Sequence, residues 1–260
     1  MSDRVVTFTK NESIGYITLD RPPANSYEIN FMKDLDAAVD AANRDSAVKA
    51  VILRSASEKF FSAGADIKAF MANDTAANME MIRFAHATLE KMADSNKIFI
   101  AAINGHALGG GLEMALACDL RFAAEGNYAL GLPEVTLGLL PGNGGTQRLP
   151  RLIGANKALA MMITGERVGP EEAYRLGLVN RLFPADKLLA ETEAYAQKVA
   201  AGAALAIGAI KRCVHDGMQM DLHEALAYER QQIEPLFDTE DAAEGFQAFA
   251  EKRPPVYRGK

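Results

Sequence analysis

Asn104-Gly105-His106-Ala107-Leu108-Gly109-Gly110-Gly111-Leu112-Glu113 is the stretch from which the fold is read. It follows an unbroken apolar run, Ile98-Phe99-Ile100-Ala101-Ala102-Ile103, of the kind an interior strand carries when both faces are covered. It then leads into a short helix. Each of its three consecutive glycines would cost up to ~1 kcal/mol of helix-forming entropy, so they are poor structural choices for a helix start. Their use is chemical: the first N–H groups of a helix have no partner inside it, and a glycine turn leaves them open to an anion.

Two flanking segments share this character. Upstream, Phe60-Phe61-Ser62-Ala63-Gly64-Ala65-Asp66-Ile67-Lys68 brings a strand end to a run of small residues, where other atoms can approach the backbone closely. Downstream, Gly131-Leu132-Pro133-Glu134 is followed by Leu137-Gly138-Leu139-Leu140-Pro141-Gly142-Asn143-Gly144-Gly145-Thr146-Gln147-Arg148-Leu149, which sets another carboxylate beside close-packed backbone.

Around these segments strand and helix alternate. Val5–Thr9 and Ile14–Leu19 flank the polar Lys10-Asn11-Glu12-Ser13 and predict an N-terminal hairpin, ended by the turn Arg21-Pro22-Pro23-Ala24-Asn25. From Tyr27 to about Asn43, Ile29, Met32, Leu35, Val39 and Ala42 recur at helical steps, and Val48 to Leu53 reads as a buried strand. Ile82, Ala85, Leu89 and Met92 mark a second helix. A further hairpin is expected between Asp119 and Glu134, turning at Glu125-Gly126-Asn127. Beyond Pro184 strand signals vanish and helical periodicity runs to the Phe246–Phe249 segment. We therefore expect an α/β core over residues 1–195 and a helical subdomain over residues 196–260.

The bulk numbers bound the function. A chain of 260 residues with 49% hydrophobic and 24% charged residues can bury a sizeable core. Twenty-eight Lys and Arg against 34 Asp and Glu leave a net charge of −6, which gives a nucleic-acid partner no support. Cys118 and Cys213 match no metal or disulfide spacing and read as structural thiols in a reducing compartment. Met1 to Arg4 lead directly into the first strand pattern, without the apolar core of a secretory signal, so a cytoplasmic protein with no membrane partner is expected.

The three segments in this order resemble the crotonase, or enoyl-CoA hydratase/isomerase, superfamily, and the resemblance runs from the hairpin to Lys260. It implies a crotonase-like spiral of repeated ββα units with a C-terminal helical trimerisation region, assembled as a homotrimer or a homohexamer. It also implies an acyl-CoA thioester substrate and no cofactor, coenzyme A being part of the substrate. By motif, the amides of Ala65 and Gly110 are the expected oxyanion hole, and Glu113 and Glu134 the catalytic carboxylates of a hydratase. Asp66, Ile67 and Lys68 continue the thioester and pantetheine site, with the backbone around Ala63 near the adenine end. Phe249 and Lys252 fall in the stretch that contacts coenzyme A, often from a neighbouring subunit, where Lys252 would pair with a phosphate. Three departures stand out. The hairpin between Asp119 and Glu134 is one residue longer than in common members, with Glu125-Gly126-Asn127 absorbing the insertion. The Arg21–Ser26 turn is a residue shorter than usual, and Leu132 replaces the frequent Gln before Pro133.

Blander assignments compete at several positions. Asp66 is a natural helix cap, His106 a wall or turn residue, and Met71, Met79 and Met81 adaptable lining. A nucleotide loop is excluded, since no G-x-G-x-x-G opens a βαβ unit and no Gly-Lys-Ser/Thr closes the glycine run. The four histidines show no metal spacing. A double-bond isomerase is the nearest enzymatic rival, but it has no need of Glu134. A non-catalytic or RNA-binding role fits the acidic balance and intact carboxylates poorly.

Overall fold

Residues 4–260 are described by a computed structural model. The N-terminal alternation forms the expected antiparallel hairpin of β1 (Val6–Asn11) and β2 (Ile14–Leu19), with Phe8 opposite Ile17. The first expected helix is α1 (Ile29–Arg44), whose N-terminus is closed by Glu28 accepting from Asn30 N and Phe31 N. There follow β3 (Ala50–Ser55), β4 (Phe60–Ser62), α2 (Ile67–Ala72), α3 (Thr75–Ala93), β5 (Ile98–Ile103), β6 (His106–Leu108), α4 (Gly110–Leu116), β7 (Leu120–Ala124) and β8 (Leu130–Gly131). After a 3-10 turn at Glu134–Leu137 come α5 (Gly145–Ile153), α6 (Ala155–Thr164), β9 (Arg167–Val168), α7 (Pro170–Arg175), β10 (Arg181–Phe183) and α8 (Leu188–Ala200). The chain ends in α9 (Ala204–Gly217), α10 (Leu222–Ile233), a 3-10 turn at Glu234–Asp238 and α11 (Glu240–Glu251).

The strands form two sheets, of order β1-β2-β3-β5-β7-β10 and β4-β6-β8-β9. Successive pairs β3/β4, β5/β6 and β7/β8 each give their first strand to the larger sheet and their second to the smaller, so the chain winds as a spiral of ββα units. The Asp119–Glu134 segment is therefore not a hairpin. β7 pairs in parallel with β5 and β10, whereas β8 pairs with β6 and β9. The Glu125-Gly126-Asn127 turn carries the chain from one sheet to the other.

Period-two alternation covers both faces of the larger sheet. Val51, Leu53, Phe99, Ala101 and Ile103 pack with Phe31, Leu35, Leu89 and Met92 of α1 and α3. The intervening Ala50, Ile52, Ile100 and Ala102 pack with Phe122 and with Leu188 and Ala196 of α8. Because α8 lies on this sheet and runs through positions 195 and 196, the expected boundary falls inside a helix. The chain leaves the sheet only after Ala200.

One buried ion pair holds α9 to the core. Lys211 Nζ donates to Asp119 Oδ2, Met92 O and Lys97 O, each at 2.9 Å, and Asp119 also accepts from Phe99 N at 2.7 Å. Elsewhere the C-terminal helices carry exposed apolar side chains, among them Met218, Leu222, Phe246 and Phe249. Among the described residues, no helix is long and apolar enough to cross a membrane.

Candidate active site

The smaller sheet builds the site at the C-terminal ends of its parallel strands. Ser62 of β4 pairs with Ala107 of β6, which pairs with Leu130 of β8. Three residues beyond Ser62 stands Ala65, three beyond Ala107 stands Gly110, and four beyond Leu130 stands Glu134. Adjacent strands lie about 4.8 Å apart, so three groups from distant sequence are drawn into one row.

Gly64 and Gly109, at φ +89° and +53°, make the two turns that precede the amides of Ala65 and Gly110. A Cβ placed on Gly64 would stand 3.2 Å from Gly110 N, so the two turns lie against each other. Among the described residues, neither Ala65 N nor Gly110 N donates to a protein acceptor. Two such free N–H groups side by side can hold an oxygen that gains negative charge.

The glycine triplet is explained by what it touches. A Cβ on Gly109 would meet Glu134 Oε1 at 2.7 Å, one on Gly110 the Tyr27 ring at 2.3 Å, and one on Gly111 the Ser62 carbonyl at 2.2 Å. α4 is buried along its whole length, and its C-terminal end is pinned by buried Arg121, which donates to Cys118 O and Ala115 O.

Glu113, on α4, is 1% exposed, and its Oε1 accepts from Asn143 N and Gly145 N, both at 2.7 Å. Burial raises its pKa above the usual carboxylate value. The two amides and the nearby Arg148 guanidinium act in the opposite sense and favour the ionised form. Glu134 opens the 3-10 turn, and its Oε2 is buried with no partner. Burial, with Glu113 adding a like charge, pushes its pKa up to about 7. Burial shifts both carboxyls toward the protonated form, but of the two Glu113 alone is met by two loop amides and a guanidinium that favour its charge.

The loop behind Glu113 is firmly held. His86 on α3 donates from Nε2 to Gly142 O at 2.6 Å, and Arg148 Nη1 donates to Asn143 O at 2.9 Å. Asn143, 3% exposed, donates through Nδ2 to Tyr27 Oη at 2.7 Å. Leu132, also buried, packs where Gly145 approaches Glu113 and supplies an apolar wall where related chains frequently carry Gln.

The remaining sequence assignments divide. Ala65, Gly110, Glu113 and Glu134 are brought together. Asp66 takes the capping role: its Oδ1 accepts from Lys68 N and Ala69 N, and its Oδ2 pairs with Arg21 Nη2 at 2.9 Å. Ile67 and Lys68 are exposed in the first turn of α2, next to Ala65, while the Ala63 N–H is taken by Ala24 O. Phe249, 88% exposed, lies on α11 and Lys252 at its end, and α11 packs on the preceding 3-10 turn. A single chain does not bring this pair to the site.

His106 is a wall residue, its Nδ1 accepting from Ala129 N at 3.2 Å and its ring tilted on Phe60. Both cysteines are free thiols. No group of three or more His, Cys, Asp or Glu side chains suited to a metal occurs among the described residues. Tyr27, Asn143 and Arg148 belong to the site without having been expected there from the sequence. An Asn between glycines in Gly142-Asn143-Gly144-Gly145 was a signal of backbone pressed against a partner, but nothing local singles out Tyr27.

An α/β spiral with paired free amides beside two unequal buried carboxyls defines a protein that can stabilise an oxyanion and move protons next to it. The family described as Enoyl-CoA hydratase/isomerase matches residues 9–260. A crystal structure of an enoyl-CoA hydratase from Geobacillus kaustophilus superposes with a TM-score of 0.97 at 45% identity, covering 100% of this chain and 98% of the other. Crotonyl-CoA hydratase of Syntrophomonas wolfei is 38% identical over 250 residues, 95% of each chain. The 2,3-dehydroadipyl-CoA hydratase of Escherichia coli is 37% identical over 261 residues, 100% of each. This chain belongs to the enoyl-CoA hydratase/isomerase family.

Proposed function

We propose that this protein is an enoyl-CoA hydratase, adding water syn across the 2,3 double bond of a 2-enoyl-CoA to give a 3-hydroxyacyl-CoA. One observation carries the proposal: Glu113 Oε1 is held by two amides, whereas Glu134 keeps a buried, unpartnered oxygen. The first arrangement suits a carboxylate base and the second a carboxylic acid.

In this reading the thioester oxygen accepts hydrogen bonds from Ala65 N and Gly110 N. A water between the carboxyls gives a proton to Glu113 as its oxygen bonds to C3. The C2–C3 π electrons move to C1–C2, and the carbonyl pair collects on oxygen as an enolate. Each amide donor stabilises that charge by about 3 to 4 kcal/mol. The enolate then collapses, C2 takes the proton of Glu134, and transfer of a proton from Glu113 to Glu134 resets the pair. Atoms and charge balance without a cofactor. An isomerase needs a single proton shuttle, so the second buried acid favours hydration.

We assign Ile67 and Lys68 to the pantetheine path, which their exposure beside Ala65 supports, with Asp66 fixing the turn that presents them. We assign Ala63 to the adenine end. Phe249 and Lys252 would reach the coenzyme from a neighbouring subunit of a homotrimer or of a homohexamer built as a dimer of trimers. The exposed apolar side chains of α9 to α11 support such an assembly. Two free cysteines suit a cytosolic setting.

The test is loss of the enoyl-thioester absorbance of crotonyl-CoA. Glu113→Gln and Glu134→Gln should each lower kcat by about 10²- to 10⁴-fold while leaving binding of the CoA ester intact. Wild-type rates in either variant would refute the assigned roles. A panel of enoyl-CoA esters compared by kcat/KM then identifies the acyl group.

A further inference from the structure

We propose that Tyr27 is a positioning residue for hydration, its ring setting the Gly110 amide and its hydroxyl setting the Glu113 carboxylate through Asn143. The proposal rests on the hydratase reading above. Tyr27 is 5% exposed and touches both amide turns and Asn143. Its main chain bridges to Ala65: Tyr27 N donates to Gly64 O and Asp66 N donates to Tyr27 O, both at 2.8 Å. These two bonds flank Ala65 and fix its peptide while leaving its own N–H free.

The ring covers the other amide. The position a Cβ would take on Gly110 lies 2.3 Å from Tyr27 Cε1 and 2.6 Å from Oη, so the ring rests directly on the Gly110 Cα. Any side chain at residue 110, or a ring moved inward at residue 27, would force the turns carrying the two amides apart. The hydroxyl reaches further: Asn143 Nδ2 donates to it at 2.7 Å, and the N–H of the same Asn143 donates to Glu113 Oε1 at 2.7 Å. Asn143 Oδ1 is buried with no partner, so Tyr27 Oη is the one protein group anchoring that carboxamide among the described residues.

Tyr27 itself has a rigid mount. The preceding turn ends at Asn25, in the left-handed region at φ +50°. Its side chain accepts from Arg21 N and donates to Ser55 Oγ and Phe61 O. The shortened Arg21–Ser26 turn, a departure in the sequence, is therefore locked to β3 and β4, and it delivers Tyr27 between them and α4.

Ring and hydroxyl are separable by substitution. Tyr27→Phe keeps the ring on Gly110 and releases Asn143, so the loop gripping Glu113 loosens while the amide pair stays aligned. Tyr27→Leu removes both. Two readouts distinguish them: kcat and KM with crotonyl-CoA, and the absorbance of bound acetoacetyl-CoA, a 1,3-dicarbonyl thioester whose enolate reports the amide pair directly. Tyr27→Phe should lower kcat about 10- to 100-fold, leave KM nearly unchanged and keep the enolate absorbance. Tyr27→Leu should lower kcat further and abolish the enolate absorbance, which Phe at the same position restores.

Asn143→Ala should match Tyr27→Phe, and the double variant should be no worse than either single one, because both break the same link. Wild-type kcat in Tyr27→Phe, multiplicative losses in the double variant, or an undiminished enolate signal in Tyr27→Leu overturns the proposal. Failure of the wild type to hydrate crotonyl-CoA overturns the hydratase reading instead, and the enolate signal still judges Tyr27.

Discussion

Raising the pH through the titration of Glu134 should switch the enzyme off along a line set by that one carboxyl. Burial, reinforced by the neighbouring Glu113 charge, pushes Glu134 up to about 7, from the 4.5 of an exposed glutamate. In the proposed mechanism the protonated form is the proton donor to C2, so kcat/KM should fall as that proton is lost. At about pH 7 half the free enzyme carries it, and at about pH 9 roughly one molecule in a hundred does, a tenfold loss per pH unit. On the acid side, protonation of Glu113 removes the base, and because burial raises its pKa that limb lies above the ordinary carboxylate range. Initial rates with crotonyl-CoA well below KM, in buffers of constant ionic strength, trace the profile. Glu134→Gln should be slower throughout and lack the alkaline limb. Stability follows the same group with a definite sign. The folded value lies above the unfolded one, so the contribution of Glu134 is complete below about 4.5 and is lost as pH rises through about 7. A kcat/KM that stays level from about pH 6 to about pH 9, or an alkaline limb that survives in Glu134→Gln, would refute the acid role.

Other perturbations test the scaffold. Gly109→Ala puts a methyl 2.7 Å from Glu134 Oε1 at φ +53°, so the carboxyl must swing away, and kcat should fall about 100-fold while thermal unfolding shows a modest loss. Lys211→Met leaves buried Asp119 without its cation and should cost about 3 to 5 kcal/mol, read as a lowered urea midpoint, with the C-terminal helices the first to become protease-sensitive. An unchanged midpoint would show that Lys211 does not hold α9 to the core.

The parts of this molecule that were legible in the sequence are those whose cause is local. Leu35 and Val39 at helical spacing gave α1, and the apolar run from Ile98 gave β5, because burial on one or both faces leaves a periodic trace. Glu113 and Glu134 were legible through the resemblance of their flanking segments to a known family, whereas the glycine run before Glu113 signalled locally only that something approaches the backbone there. The strands of the smaller sheet, β4, β6 and β8, are only three, three and two residues long, too short for a period, so their sheet was not visible. For the same reason Glu125-Gly126-Asn127 read as a hairpin turn, although the chain there steps between sheets. Tyr27 and Asn143 are 116 positions apart and meet only through the fold. Asp66 showed its cap locally, since Lys68 and Ala69 follow it at once.

The terraced arrangement of β4, β6 and β8 separates duties that most catalytic centres entangle. In the proposed mechanism two terraces grip the charge and the third delivers the hydrogen, each on its own rung and each with its own loop behind it. Rewriting the Pro133–Leu137 loop alone would change which atom is protonated, or whether any is, while the anion cradle stayed as it was. A scaffold divided in this way can be retuned to new enolate chemistry one loop at a time.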